Sequence, residues 1–155
     1  MNRPPPQTLT ALPAGPSASK ASPRIPRVEA HATTMTRTVL HADDSGAVRR
    51  WIADQLAGMG LKVISVADGD AALQYLRGAA CDLLLTDLEM PNLDGLALLA
   101  AARELPSHRF LPVLVLSSRQ PAEIAPVRRQ GVTGWLVKPV EGERLRRWIR
   151  RALPE

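Results

Sequence analysis

Only one cysteine, Cys81, stands among 155 residues, so no internal disulfide can form and the chain suits a reducing compartment. Long apolar runs are also missing. Asp, Arg or Pro interrupts every candidate well short of a membrane span, so the expectation is a soluble, cytoplasmic protein without membrane contact. Metal-ligating partners for His41 are lacking: no second His or Cys stands at ligand spacing, and a packed or edge histidine is the simpler reading. Positive charge is in slight excess, Lys+Arg 20 against Asp+Glu 15, a net of +5. Arg3, Lys20, Arg24 and Arg27 against Glu29 put +3 of that in residues 1–36 and leave +2 for the rest. Direct nucleic-acid binding is therefore not expected, despite the high isoelectric point.

Residues 1–36 carry Pro4, Pro5, Pro6, Pro13, Pro16, Pro23 and Pro26 among Ala, Ser and Thr. A segment so poor in apolar surface cannot offset its chain entropy, so a disordered tail is expected. It has no unbroken apolar stretch of the signal-peptide kind. Linker or tail, binding segment, and over-long gene start remain as readings; translation from Met35 would give a complete domain over 37–153.

From residue 38 the pattern alternates. Thr38 to Ala42 reads as a strand, followed by Asp43-Asp44-Ser45 and a helix carrying Val48, Trp51, Ile52, Leu56 and Met59 at helical spacing, ended by Gly58 and Gly60. Lys62 to Val66 is a short β-branched strand, and Asp68-Gly69-Asp70 caps a second helix. Leu83-Leu84-Leu85 reads as a strand buried on both faces and ending on Asp87, with Pro91, Asn92, Asp94 and Gly95 turning the chain into a helix to about Leu105. Pro112 to Leu116 is the fourth strand, ending on Ser117-Ser118. Residues 121–130 are weakly helical, Gly134 to Val137 is a fifth strand ending on Lys138-Pro139, and a last helix runs from about Glu143 to Ala152. Five βα units predict a doubly wound α/β fold: a five-stranded parallel sheet with five helices on its two faces.

A parallel sheet gathers the carboxyl ends of its strands on one edge, where the chemistry of open α/β sheets sits. Asp43 and Asp44, Asp87, Ser117 and Lys138 all fall there. Three carboxylates in one pocket raise each other's pKa unless a cation joins them, and hard oxygen ligands of this kind suit Mg²⁺. An anion beside that metal would be balanced by the Lys138 ammonium and the Ser117 hydroxyl. The chemistry suggested is phosphoryl transfer onto Asp87 as an acyl phosphate.

The motifs that carry this chemistry are Asp43-Asp44-Ser45, Asp87-Leu88-Glu89-Met90-Pro91-Asn92-Leu93-Asp94-Gly95, the hydroxyl at Ser117, and Gly134-Trp135-Leu136-Val137-Lys138-Pro139. In this order, over about three-quarters of the chain, they resemble the receiver domain of two-component response regulators in its stand-alone, chemotaxis-regulator-like form, with flavodoxin-like topology. The resemblance implies that Asp87 is the phosphoacceptor. It implies Asp44 and the backbone carbonyl of Glu89 as direct Mg²⁺ ligands beside Asp87, and Asp43 as a ligand acting largely through water. Lys138 and Ser117 would contact the phosphoryl group, Ser117 and Trp135 would take part in the conformational switch, and the Lys138–Pro139 peptide would be cis. Implied partners are a histidine kinase, a histidine phosphotransfer protein, or both, and a downstream protein. The chain would be no enzyme towards a separate substrate, but a phosphoacceptor assisting its own phosphorylation and dephosphorylation.

Some features depart from the family pattern. Pro126 interrupts the segment before Gly131, which is about one residue short, so a helix there must begin at Pro126 or be partly unravelled. Trp135 stands where the family has a smaller ring, and an edge-strand surface aromatic is the alternative. With only Pro154 and Glu155 beyond the last helix, output is expected through protein contact or onward phosphotransfer. Three other functions compete. A phosphorylation-independent receiver-like binding module would not need the intact site. A hydrolase of the haloacid-dehalogenase type would need Asp-x-Asp, where Asp87 is followed by Glu89. Flavodoxin-like cofactor binding would set a phosphate against Asp43-Asp44.

Overall fold

The computed structural model describes residues 36–120 and 131–153. Strands β1 (Thr38–Ala42), β2 (Lys62–Val66), β3 (Leu83–Asp87), β4 (Val113–Ser117) and β5 (Gly134–Val137) pair in parallel in the order β2-β1-β3-β4-β5. Helices α1 (Gly46–Ala57), α2 (Gly69–Gly78), α3 (Gly95–Glu104) and α4 (Gly142–Ala152) follow β1, β2, β3 and β5, and a 3₁₀ turn spans Pro106–His108. The fold is thus the expected doubly wound α/β sheet, with four α-helices among the described residues. The fifth expected helix, over 121–130, lies outside them, as does the expected disordered tail apart from Thr36.

Side-chain alternation sorts the core into two layers. Leu40, Leu84, Val113 and Val115 pack with Ala72, Leu73 and Leu76 of α2 and with Leu98, Leu99 and Ala102 of α3. Val39, Leu83, Leu85, Leu114, Leu116 and Leu136 pack on the other side, against Ile52 and Leu56 of α1 and Leu145 and Ile149 of α4. Strands β3 and β4 are buried along their whole length, which explains their unbroken apolar runs. Trp51 is half-buried at the edge of the second layer.

Each of the first three helices starts on a side-chain cap at the edge where the strands end. Ser45 Oγ accepts from the Val48 N–H, Asp68 Oδ1 from Ala71 and Asp94 Oδ1 from Ala97. Such caps satisfy otherwise orphaned N–H groups and fix where the chain leaves the sheet. Two glycines let backbone approach backbone at that edge. A Cβ on Gly95 would collide with the Asp87 carbonyl oxygen, and one on Gly69 with the Leu93 carbonyl oxygen. The loop after β3 is therefore clamped at Leu93 and Gly95, and between them and Asp87 it makes a sharp turn with Asn92 at φ 70°. Among the described residues no helix is long and apolar enough to cross a membrane.

Candidate functional site

The strand order reverses between β1 and β3, since β1 connects outward to β2 while β3 leads the other way to β4 and β5. At such a switch point the loops part and leave a crevice at the carboxyl ends. Asp43, one residue beyond β1, and Asp87, the last residue of β3, flank it. One carboxylate oxygen each of Asp43, Asp44 and Asp87 lies within 4.8 Å of the others. Asp43 is fully buried, Asp87 is 6% exposed and Asp44 is exposed.

Lys138 enters from the end of β5. Its Nζ stands 3.2 Å from Asp43 Oδ2 and 3.4 Å from Asp87 Oδ1, bridging the two buried carboxylates. The Lys138–Pro139 peptide is cis, and the Lys138 N–H donates to the Ser117 carbonyl at 2.7 Å. Other atoms fix the carboxylates. The Ser45 N–H donates to Asp43 Oδ1 at 2.9 Å and the Glu89 N–H to Asp87 Oδ1 at 3.4 Å. The Asp87 carboxyl is held above the ordinary carboxylate range, by burial first and by Asp43 as well, with Lys138 and the Glu89 N–H acting the other way.

Ser117, at the end of β4, is buried, and its Oγ accepts from the Arg119 N–H at 3.0 Å. Glu89 is exposed on the rim, where its carboxylate pairs with Arg119 Nε at 2.7 Å. Trp135 is half-buried, in register with Val115 on the α2–α3 side of the sheet, and its indole N–H is buried without an acceptor among the described residues. The structure thus brings together Asp43, Asp44, Asp87 and Lys138 directly, with Ser117 at the end of β4 and Glu89 on the loop after β3; Trp135 lies within β5.

Three contributors carry no sequence signal of their own. Arg49 donates to the Asp43 carbonyl at 2.6 Å, the Thr86 hydroxyl donates to the Asp87 carbonyl at 2.9 Å, and Arg119 closes the rim against Glu89. Only their positions next to motif residues could have pointed to them. Cys81 is half-buried, and burial pushes its thiol up to about 12, which removes it as a nucleophile.

The donor set can hold a cation. Three carboxylates meet one ammonium, and all the donors are hard oxygens. What such a crevice can do is receive an anionic group at Asp87 once a cation and Lys138 offset the charge.

Residues 39–150 match the sequence model of the response regulator receiver domain. The chemotaxis protein CheY of Pseudomonas aeruginosa is 33% identical over 115 residues, 73% of this chain and 93% of that protein. The DNA-binding transcriptional regulator NtrC of Escherichia coli is 31% identical over 121 residues; the chain spans 25% of its length. Among solved structures, the chemotaxis response regulator CheY4 of Vibrio cholerae superposes with a TM-score of 0.73 at 33% identity, covering 76% of this chain and 99% of that one. A receiver domain of a sensor histidine kinase from Pseudomonas aeruginosa, with a magnesium ion coordinated in its active site cleft, superposes with a TM-score of 0.70 at 25% identity, over 75% and 96% of the two chains.

Proposed function

This chain belongs to the response regulator receiver domain family, and on that premise we propose that it is a phosphorylation-controlled switch whose acceptor is Asp87. The observation that carries the reading is the single contact set in which Lys138 bridges Asp43 and Asp87 at the switch point of the sheet. An Asp87 oxygen attacks phosphorus in line. The new bond is an acyl phosphate; the bond that breaks is the phosphorus–nitrogen bond of a phosphohistidine, whose imidazole leaves and takes up a proton. Lys138 moves its ammonium onto a phosphoryl oxygen, and the Ser117 hydroxyl donates to another. Asp44, Asp87 and the Glu89 main-chain carbonyl would hold Mg²⁺ directly, with Asp43 through water. When bound, such an ion would screen the carboxylates and offset charge on the phosphoryl group.

The donor is a histidine kinase or a histidine phosphotransfer protein, in keeping with relatives such as the sensor histidine kinase GacS of Pseudomonas protegens, 33% identical over 130 residues. The chain acts on no separate substrate: it catalyses its own modification and reversal. Phosphorylation acts by favouring one conformer, and Ser117 and Trp135 are the residues assigned to that shift. A cytoplasmic site of action and a protein target complete the reading.

The test is intact mass after incubation with acetyl phosphate, with and without Mg²⁺. Wild type should gain one phosphoryl group only with Mg²⁺, and Asp87→Ala should gain none. A wild-type chain that folds but accepts phosphate from neither acetyl phosphate nor any kinase would instead be a phosphorylation-independent binding module.

A further inference from the structure

His41 is the polar residue of β1 that the family resemblance leaves without a role. It is completely buried, two residues before Asp43, and alternation puts it with Val39 on the side of the sheet covered by α1 and α4. Its cross-strand neighbours are Ser65 of β2, whose side chain is exposed, and apolar Leu85 of β3. Among the described residues neither ring nitrogen has a hydrogen-bond partner. Buried polar groups are nearly always paired, so an imidazole with both nitrogens idle calls for an explanation.

The explanation lies above it. His41 Nε2 stands 4.0 Å from Asp43 Oδ2, just beyond hydrogen-bonding reach. That oxygen is taken by Lys138, while Asp43 Oδ1 accepts from the Ser45 N–H. An imidazole carries at least one N–H in either charge state, and the carboxylate 4.0 Å away favours a proton on Nε2.

Lys138 serves two carboxylates with one ammonium. A phosphoryl group on Asp87 adds negative charge beside Nζ and draws it from Asp43. Asp43 Oδ2, completely buried, would then lose its donor. We propose that His41 is a positioning residue that takes over at this point: its Nε2–H swings onto Asp43 Oδ2 as Lys138 leaves, and so keeps the carboxylate in place for the phosphorylated state. In the resting chain the ring waits; in the phosphorylated chain it is bonded. The inference rests on the proposed function, since it needs Lys138 to leave Asp43 for a phosphoryl oxygen.

The experiment uses the full chain labelled with ¹⁵N-histidine, with Mg²⁺, before and after addition of the phosphoryl mimic beryllofluoride. The His41 Nε2–H resonance should move downfield and become protected from solvent exchange on addition. His41→Leu should bind beryllofluoride about tenfold more weakly, as loss of an outer-shell partner does, with resting Mg²⁺ affinity unchanged. His41→Gln, whose amide N–H reaches the same place, should recover most of the loss. If wild type takes up the mimic with no change at His41, or His41→Leu binds it as tightly as wild type, the inference is overturned and the proposed function stands. If wild type takes up neither the mimic nor phosphate from acetyl phosphate, the proposed function falls and this inference with it.

Discussion

Lys138→Met removes one charge and keeps an unbranched apolar stem of similar length. At an effective dielectric near 20, an ammonium 3.2 Å from one carboxylate and 3.4 Å from another attracts each by about 5 kcal/mol. Most of that is offset by desolvation of the charges. The variant leaves Asp43 and Asp87 facing each other, with oxygens inside 4.8 Å, a repulsion of about 3.5 kcal/mol at the same dielectric. The Lys138 side chain is 26% exposed, so water already screens part of its contribution. A net loss of about 2–3 kcal/mol at neutral pH without divalent ions follows. In urea unfolding followed by tryptophan fluorescence with chelator present, this is a midpoint about 1–1.5 M lower than wild type. Adding Asp87→Asn to Lys138→Met should recover most of the loss, giving a coupling of about 2 kcal/mol in the double-mutant cycle. Adding Mg²⁺ to the single variant should recover it too. A midpoint equal to that of wild type, or an Asp87→Asn that fails to rescue, would refute the charge argument.

Asp87→Asn alone should stabilise the metal-free chain, with a definite pH dependence. Burial raises the folded pKa of Asp87 above its unfolded value, so the stability this group contributes is full below the unfolded pKa and is lost as pH rises through the folded one. The advantage of the variant should be near zero at about pH 4 and grow towards neutrality in paired urea titrations. Gly95→Ala should cost about 1–3 kcal/mol by pressing a methyl onto the Asp87 carbonyl and Leu88 Cα, and should slow phosphoryl uptake from acetyl phosphate. Arg103→Ala should cost about 1–3 kcal/mol, because one guanidinium donates to the carbonyls of His108, Leu111 and Gly131. Hydrogen exchange should show the loss first at the Leu111 amide, which donates to His108.

The layered fold could be read from the chain because Leu83–Leu85 and Val113–Leu116 are apolar at every position, a pattern only a strand covered on both faces needs. Which strand ends meet followed from parallel pairing alone. Element ends were less legible. Strand β4 begins at Val113 because Pro112, which has no N–H, only accepts there, from the Leu84 N–H. Helix α4 begins one residue early, at Gly142, with Glu141 as its flanking residue. Choices of partner were invisible: that Lys138 spans Asp43 and Asp87, that Arg119 meets Glu89, and that Arg103 reaches Gly131 depend on rotamers and on chain brought in from 28 to 95 residues away. His41 could be placed in a strand, but nothing in the sequence tells that its nitrogens stand idle.

The clamp at Leu93 and Gly95 has a consequence for how this sequence can change. Gly69 opens α2, Leu93 lies in the loop after β3, Gly95 opens α3 and Asp87 ends β3, yet their main chains approach closely. A side chain at position 69 pushes on Leu93, and through Gly95 that push arrives at the acceptor strand. Insertions between Asp87 and Gly95 would break both contacts at once, so drift in loop length must be absorbed elsewhere in the chain. Substitutions at 69 and 95 are then expected to be tolerated only alongside a backbone shift of the whole turn. Two positions 26 residues apart in the chain are thereby bound into one mutational unit.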